Sequence, residues 1–189
     1  GYYAAQERGF YREAGFNVEI REGAPQTDAV KEVSSGRANF GISNSDLLIR
    51  KLRGDPVVVL AAIFQHSPLV IIATEASGIQ HPQHMRGMRV GINRNTRDAE
   101  LLAMLRNEGV LLTDIEPPVG GNFSFSMYYD GSADAGSAYL TNEPFFLEQK
   151  GIPFRLIRPL TYGVDFYGDC LFTSENEVAR HPARVRRFR

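Results

Sequence analysis

Two apolar runs near the middle of the chain constrain its fold more than any other feature. Residues 57–63 and 69–74 are rich in β-branched side chains and too short for helices, which predicts two buried central strands. The segment between them, residues 64–68, reads Phe-Gln-His-Ser-Pro and includes backbone and side-chain polar groups that need partners or solvent. This segment is therefore an ordinary turn, the place of a catalytic or metal-binding histidine, or a hinge that contacts a ligand.

The rest of the sequence alternates short strand patterns with helical patterns. This alternation favours an α/β protein, and the spacing predicts parallel sheets. The predicted strands are 17–21, 38–42, 57–63, 69–74, 88–92, 115–119, 133–138, 154–157 and 169–173. The predicted helices and helical turns are 2–14, 25–35, 47–52, 82–85, 97–108, 123–129, 142–149 and a helical stretch from residue 175 onward.

Composition and charge exclude several classes of protein. A formal net charge of -1 over 189 residues gives no electrostatic reason to expect nucleic acid or an anionic membrane as a partner. No apolar run approaches the roughly 20 residues that cross a bilayer, so we expect no membrane insertion in this segment. The single cysteine, Cys170, excludes an internal disulfide and a cysteine-based zinc cluster. Both ends of the sequence read as cut, which predicts a fragment of a longer chain.

Polar residues that follow predicted strands are the first candidates for a binding site. In open α/β sheets, ligands bind beyond the carboxyl ends of strands, where loops lead into helix N-termini. The candidates chosen on this ground are Ser43, Asn44, Gln65, His66, Asn95, Asn142 and Glu143. Each of the segments before a helix is also explained by N-capping alone. Together they predict a convergent polar pocket.

Aromatic side chains are the second indication. Tyr2, Tyr3 and Tyr162 fall at predicted loop or helix-start positions, where they are candidate stacking walls. Tyrosine-rich walls with a few amides and carboxylates suit a flat, neutral or weakly cationic heterocycle. The alternative is that the aromatic residues belong to the core, and we favour that interpretation for Tyr139.

Nucleophilic and metal-dependent chemistry are poorly supported. The sequence has no G-x-S-x-G elbow, and Cys170 lies in an apolar strand pattern, which is typical of an inert buried thiol. Among the four histidines, only His81 and His84 have a ligand-like spacing, and they flank a proline-containing turn. We therefore predict no metal, no cofactor and no enzymatic activity.

Five motifs in order resemble a known family. They are GYYAA with GFYREAG at 1–5 and 9–15, GRANFGI at 36–42, QHSP at 65–68, TNEP at 141–144 and YGVDFYGD at 162–169. The chain resembles the thiamine-pyrimidine-precursor-type periplasmic solute-binding proteins. The resemblance implies a type-II periplasmic binding protein-like α/β fold, with two lobes of mixed sheets joined by two crossovers. Lobe one would comprise residues 1–67 and 165–189, and lobe two residues 68–164, with lobe one truncated at both ends.

The implied function is binding of a pyrimidine-like thiamine precursor in the periplasm or elsewhere outside the cytoplasm. The partner would be an ABC permease, or a fused signalling domain if the chain is a membrane-tethered sensor. Glu143 would accept hydrogen bonds from a ring amine, and His66 would line the hinge. The polar and aromatic set expected to contact the ligand is Tyr2, Tyr3, Ser43, Asn44, Gln65, His66, Asn95, Asn142, Glu143, Tyr162 and Asp165.

Two alternatives remain beside this interpretation. The related fungal thiamine-pyrimidine synthase carries a lysine and, four residues later, a histidine, where this chain has Ser43 and Leu47. Its cysteine cluster falls near Cys170, which here is a lone cysteine. These departures argue against a pyrimidine-synthase-like enzyme. The third interpretation is an interaction domain that has kept the fold without a ligand.

Overall fold

The chain forms two compact units in the computed structural model. The structure describes residues 1–24, 27–93, 96–121 and 124–189. Unit 1 comprises residues 1–43, 47–62 and 170–189, and unit 2 comprises residues 44–46 and 63–169. The lobe boundaries expected from the family resemblance, at 67/68 and 164/165, stay a prediction.

Helices and strands alternate along the chain. The strands are β1 (Phe40–Ser43), β2 (Val57–Ala62), β3 (Leu69–Thr74), β4 (Val90–Gly91), β5 (Ala135–Tyr139), β6 (Phe154–Ile157) and β7 (Cys170–Ser174). The α-helices are α1 (Tyr2–Glu7), α2 (Phe10–Glu13), α3 (Ala29–Ser34), α4 (Asp46–Leu52), α5 (Ala99–Asn107), α6 (Glu143–Gln149), α7 (Glu175–Arg180) and α8 (Pro182–Phe188). Short 3-10 turns connect them at Glu75–Ser77, Pro82–Met85, Thr96–Asp98, Leu112–Asp114, Val119–Gly121, Phe125–Tyr128 and Pro159–Tyr162.

Unit 1 contains a three-stranded sheet in the order β1-β7-β2. Both pairs are antiparallel, and β7 lies in the middle, buried along its whole length. The prediction of parallel sheets is therefore wrong for this unit. The sequence alternation identifies the strands, but it does not show that the late strand β7 inserts between two early ones. The core beneath the sheet is formed by Val30, Val33, Leu47, Val57, Cys170 and Phe172.

Gly41 shows how closely strand β1 approaches this core. A Cβ atom at Gly41 would lie 2.6 Å from Cε1 and 2.7 Å from Cζ of Phe172, and 3.0 Å from Cγ2 of Val33. Phe172 is fully buried, so its ring has no open space to move into. Glycine at this position therefore lets the phenylalanine ring fill the core directly against the backbone.

Unit 2 contains a four-stranded mixed sheet in the order β4-β5-β3-β6. Strand β3 is antiparallel to β5 and to β6, whereas β4 and β5 are parallel. The mixed sheet expected from the family resemblance is thus confirmed. Alternate residues of β3 pack on opposite faces of the sheet. Ile71 joins the cluster that contains α5, and Ile72 joins the cluster that contains Met127, Tyr128 and Leu147. Coverage on both faces explains why β3 is a continuous apolar run.

Several predicted elements differ from the structure. Residues 17–21 form no strand, although exposure alternates along them, because they pair with no strand in the described part of the chain. Residues 115–119 contribute only an isolated parallel bridge from Glu116 to Arg89. The predicted helix 2–14 is split into α1 and α2 at Gly9, whose φ of 79° is left-handed.

Two predicted starts fall outside the described residues. The expected helix 25–35 begins in the structure at Ala29, where the Asp28 side chain accepts hydrogen bonds from two backbone N–H groups. Residue 25 itself, like residue 123 at the start of the expected aromatic turn, lies outside the described part of the chain.

Candidate functional site

A cavity of about 250 Å³ lies in unit 2 at one edge of its sheet. Because β3 runs antiparallel to β5 and β6, this edge contains the start of β3 and the ends of β5 and β6. The lining residues are Phe64, His66, Ser67, Pro68, Leu69, Val70, Glu100, Leu140, Thr141, Arg158, Pro159, Leu160, Val164, Asp165 and Phe166. The polar segment between the two apolar runs thus forms one wall of a cavity, at a strand end where α/β proteins bind ligands.

His66 and Asp165 form a pair at this cavity. Nδ1 of His66 lies 2.9 Å from Oδ1 and 3.0 Å from Oδ2 of Asp165. Their side chains remain 67% and 45% exposed, so solvent screens the pair and its contribution to stability is small. The contact matters for orientation, because it fixes the imidazole plane at the cavity wall.

Ser67 and Glu100 form a second, partly buried pair. The Ser67 hydroxyl donates to Oε1 of Glu100 over 2.5 Å, and the same hydroxyl accepts the backbone N–H of Leu69. Glu100 is only 7% exposed although it lines the cavity. Its burial raises the pKa of the Glu100 carboxyl to about 7, against the lowering effect of the Ser67 hydrogen bond. The nearby carboxylates of Asp98 and Asp165 raise this pKa further.

Asp98, just before α5, accepts hydrogen bonds from Asn93, which follows β4. Its Oδ2 accepts the backbone N–H of Asn93 over 2.8 Å and the Asn93 side-chain amide over 3.3 Å. Asp98 is buried, and these bonds position the first turn before the helix that carries Glu100. The predicted site residue Asn95 lies outside the described residues.

The predicted pair Asn142–Glu143 is tied to the end of strand β5. Oε2 of Glu143 accepts the backbone N–H of Tyr139 over 2.7 Å, and Oε1 accepts the Asn142 side-chain amide over 3.1 Å. Both oxygens of the carboxylate therefore have partners that stabilise the strand-to-helix turn. The cavity is lined at this point by Thr141, one residue before the pair.

Three further predicted residues of unit 2, Tyr162, Gln65 and Asn44, are not among the residues that line the cavity. Tyr162 is half-buried against the core cluster of α5, and burial raises the pKa of its phenol. Gln65 is exposed next to His66. The Asn44 side chain accepts the backbone N–H of Asp46 over 2.9 Å and donates to the carbonyl of Arg97 over 3.1 Å. Asn44 thus caps a helix start.

The remaining predicted residues, Tyr2, Tyr3 and Ser43, belong to unit 1. The Tyr3 hydroxyl donates to Oε1 of Glu22 over 3.0 Å, and this hydrogen bond raises the pKa of the phenol. Ser43 is the last residue of β1, opposite Cys170. The cavity of unit 2 therefore contains two of the predicted residues, His66 and Asp165, and the ligand contacts expected for the other described residues stay predictions.

Sequence reasoning missed four polar residues that line the cavity, namely Ser67, Glu100, Thr141 and Arg158. A signal for Glu100 was present. It precedes Met104 by four positions, which places a carboxylate on the same helix face as the buried Leu101, Met104 and Leu105. A charged residue on the apolar face of an amphipathic helix indicates a site, because burying an ionisable group is costly.

The architecture defines a class of proteins. The periplasmic aliphatic sulphonate binding protein SsuA from Escherichia coli superposes with a TM-score of 0.74 at 18% identity, over 97% of this chain and 64% of that one. A Candida albicans gene product, described as having the generic periplasmic binding protein structural fold, superposes with a TM-score of 0.68 at 15% identity, over 98% of this chain and 63% of that one. The fold is thus that of the periplasmic binding proteins, and the α/β, type-II periplasmic binding protein-like fold class is confirmed. No helix in the described residues has the length and apolar character that a bilayer crossing needs.

The chain belongs to the NMT1/THI5-like family, whose profile matches residues 1–189. The resemblance predicted from the five motifs is therefore confirmed.

Several curated relatives match nearly the whole chain. The riboflavin-binding protein RibY of Chloroflexus aurantiacus is 22% identical over 99% of this chain and 54% of its own length. The formylaminopyrimidine-binding protein of Halalkalibacterium halodurans is 23% identical over 97% of this chain and 56% of its own length. The 4-amino-5-hydroxymethyl-2-methylpyrimidine phosphate synthase of Schizosaccharomyces pombe is 23% identical over 98% of this chain and 57% of its own length. The chain thus spans a little over half the length of these relatives.

Proposed function

We propose that this chain is a binding module for a small pyrimidine-like heterocycle, a thiamine precursor, outside the cytoplasm. Within one family, a formylaminopyrimidine-binding protein and a riboflavin-binding protein both match the chain over nearly its full length, which supports binding of a nitrogen heterocycle. The bound form would be read by an ABC permease or by a fused signalling domain. Either route begins with the same step, ligand-dependent selection of one conformation.

The observation that carries this proposal is the cavity of unit 2 with its two pairs, His66–Asp165 and Ser67–Glu100. Apolar walls from Leu69, Val164 and Phe166 surround these polar groups. Apolar lining with a few oriented donors and acceptors is the usual composition of a small-molecule site. An aminopyrimidine offers a flat ring to such walls, and its amino group and ring nitrogens complement carboxylate and imidazole.

The size of the cavity favours a single-ring ligand. Sites for drug-sized ligands measure roughly 300–1,000 Å³, and this cavity measures about 250 Å³. A pyrimidine fits that scale, whereas riboflavin has three fused rings and a sugar-alcohol chain. We therefore favour the ligand class of the formylaminopyrimidine-binding relative over that of the riboflavin-binding relative.

A synthase activity is the second candidate, since the Schizosaccharomyces pombe relative carries that name. The environment of Leu47 argues against it. This residue, placed where the fungal synthase is expected to carry histidine, is 1% exposed and packs in the core cluster with Val30, Val33 and Phe172. A side chain in that position cannot reach a substrate. Ser43, at the position expected to carry lysine, supplies no amine.

The experiment is a thermal-shift and calorimetric titration of the chain with 4-amino-2-methylpyrimidine, riboflavin and an aliphatic sulphonate. A ligand at 100 times its Kd stabilises a protein by about 2.7 kcal/mol. For a chain of this size that corresponds to a rise in Tm of roughly 5–10 °C. We expect this rise with the pyrimidine. A rise with riboflavin or sulphonate in its place would contradict the proposed ligand class.

The synthase alternative has its own readout. The chain is incubated with pyridoxal phosphate and iron, and intact-protein and peptide masses are compared before and after. We expect all four histidines to be recovered unchanged. Loss of a histidine together with formation of a pyrimidine product would overturn the binding assignment.

A further inference from the structure

We infer that the cavity of unit 2 selects a heterocycle that carries a protonated ring nitrogen beside an amino group, and that Glu100 is the counter-ion that sets this selectivity. The inference rests on the proposed function and deepens it, since it names the chemical group recognised and the residue that recognises it. It concerns a carboxylate that neither the motifs nor the strand-end pattern had indicated.

Glu100 is held in one orientation at the cavity wall. The Ser67 hydroxyl bonds Oε1, and Ser67 is itself fixed by the backbone N–H of Leu69 at the start of β3. Within the described part of the chain, Ser67 donates the hydrogen bond that Glu100 accepts, and the charged groups that act on Glu100 are the carboxylates of Asp98 and Asp165. One oxygen is thus oriented by the protein, and the carboxylate still lines the cavity.

The groups around Glu100 make this part of the cavity acidic. Asp98 approaches it from the turn before α5, and Asp165 approaches from the segment after the turn Pro159–Tyr162; both carboxylates disfavour the ionised form of Glu100. The phenol of Tyr139, on β5, lies within electrostatic range of Glu100. His66 is paired with Asp165 rather than with Glu100, and Arg158 lines the cavity as an exposed side chain.

A bound cation would lower the free-energy cost of keeping the Glu100 carboxylate buried near two other carboxylates. An isolated buried carboxylate is expensive, and a partner that supplies both charge and hydrogen bonds offsets that cost. A protonated ring nitrogen next to an amino group presents two parallel N–H donors, which is the geometry a carboxylate accepts bidentately. A ring of the same shape without nitrogen donors would leave Glu100 buried without such a partner.

The ionisation of Glu100 predicts how binding depends on pH. With a pKa of about 7, the carboxyl loses its proton near neutrality. The ion pair needs Glu100 without its proton and the ligand with one. Affinity therefore falls on the acid side, where Glu100 is protonated, and on the alkaline side, where the ligand is neutral, giving a bell-shaped profile.

The test compares two probes of the same shape by isothermal titration calorimetry. They are 4-amino-2-methylpyrimidine and 3-methylaniline, which replaces both ring nitrogens with carbon. We expect the unmodified chain to bind the pyrimidine at least 10-fold more tightly. We expect Glu100→Gln, which keeps the shape and an acceptor for Ser67, to lose that preference while its affinity for 3-methylaniline stays within about twofold. Glu148→Gln, at an exposed position of α6 that does not line the cavity, is the matched control and should behave as the unmodified chain.

The outcomes separate this inference from the proposed function. If the unmodified chain binds both probes equally, or if Glu100→Gln keeps the preference for the pyrimidine, the inference is overturned while ligand binding stands. If the unmodified chain binds neither probe, the proposed function fails and the inference fails with it. The pH profile needs no variant. A bell-shaped affinity for the pyrimidine between pH 5.5 and 8.5, with a flat profile for 3-methylaniline, supports the inference, and two flat profiles contradict it.

Discussion

The imidazole of His66 and the carboxylate of Asp165 are joined by contacts of 2.9 and 3.0 Å although 99 positions separate them in the chain. An ionised carboxylate only accepts hydrogen bonds, so Nδ1 of His66 carries the proton that Asp165 accepts. The pair brings the polar segment between the two central apolar runs together with a residue of the last resembling motif.

Asp165→Asn should weaken ligand binding without weakening the fold. The variant removes the charge that orients His66 and fixes its tautomer, and we expect a loss of about 1 kcal/mol, or roughly 5-fold in Kd for 4-amino-2-methylpyrimidine. The change in unfolding free energy should stay below about 1 kcal/mol because both side chains are substantially exposed. Calorimetry and urea denaturation measure the two quantities. A large loss of stability with unchanged affinity would assign the pair a structural role.

Glu100→Gln should stabilise the protein in a pH-dependent way. The pKa of Glu100 is raised from 4.5 to about 7 in the folded chain, so the folded state holds this proton more tightly than the unfolded state. The associated stability is fully present below pH 4.5 and is lost as the pH rises through 7. The variant has no carboxyl group at this position. Above pH 7, its free energy of unfolding should therefore exceed that of the unmodified chain by up to roughly 3 kcal/mol.

The measurement is the unfolding free energy of the two proteins at pH 4, 5.5 and 7.5. Other titrating groups are common to both proteins and cancel in the comparison. A stability difference that stays constant across this range would show that Glu100 has an ordinary pKa in the folded chain.

Leu47→Ala should destabilise unit 1 strongly. The side chain is 1% exposed in the core cluster, and removing a buried leucine typically costs about 2–5 kcal/mol. Leu48→Ala is the matched control, because the neighbouring leucine is 66% exposed and should change stability by less than about 0.5 kcal/mol. Equal effects of the two substitutions in urea denaturation would contradict the core assignment of Leu47 and reopen that position as a substrate-facing one.

Gly41→Ala should also destabilise unit 1, through overpacking. The added methyl group would lie 2.6 Å from the ring of the fully buried Phe172, and forcing such a fit costs typically about 1–3 kcal/mol. Gly23→Ala serves as the control, since a Cβ there meets no atom within 4 Å. Thermal unfolding of both variants would decide, and a Gly41→Ala protein as stable as the control would mean that β1 does not approach Phe172 closely.

Local sequence patterns predicted the elements that have strong periodicity or clear boundaries. Strand β3 and the turn Pro82–Met85 have the predicted bounds, and strand β6 begins and ends where the pattern placed it. The family resemblance predicted mixed sheets, whereas the alternation of strands and helices had predicted parallel ones. Pairing partners are distant in sequence, as when β7 lies between β1 and β2, and a local pattern does not contain that information.

For the same reason, the residues of the candidate site were predicted only in part. His66 and Asp165 fell within recognisable motifs, so they could be chosen before their contact was known. Glu100 lies within a helix and belongs to no motif, and the role that we propose for it rests on its burial beside Ser67 and Asp98. Glu143 had the chemistry of a ligand contact, but its oxygens are bonded at the strand-to-helix turn. Local sequence patterns do not contain such tertiary hydrogen bonds, and the ligand contact expected of Glu143 stays a prediction.

The most direct test of the account is a two-dimensional ¹H–¹⁵N NMR titration of the labelled chain with 4-amino-2-methylpyrimidine. Saturable shifts should appear first at the backbone amides of Ser67, Glu100 and Thr141, which line the cavity of unit 2. The amides of Gly23 and Leu48, outside that cavity, serve as internal references. We predict saturation of the cavity signals with one apparent Kd. Absence of saturable shifts there, or shifts confined to residues outside the cavity, would contradict the central claim that unit 2 binds a pyrimidine-like ligand at this site.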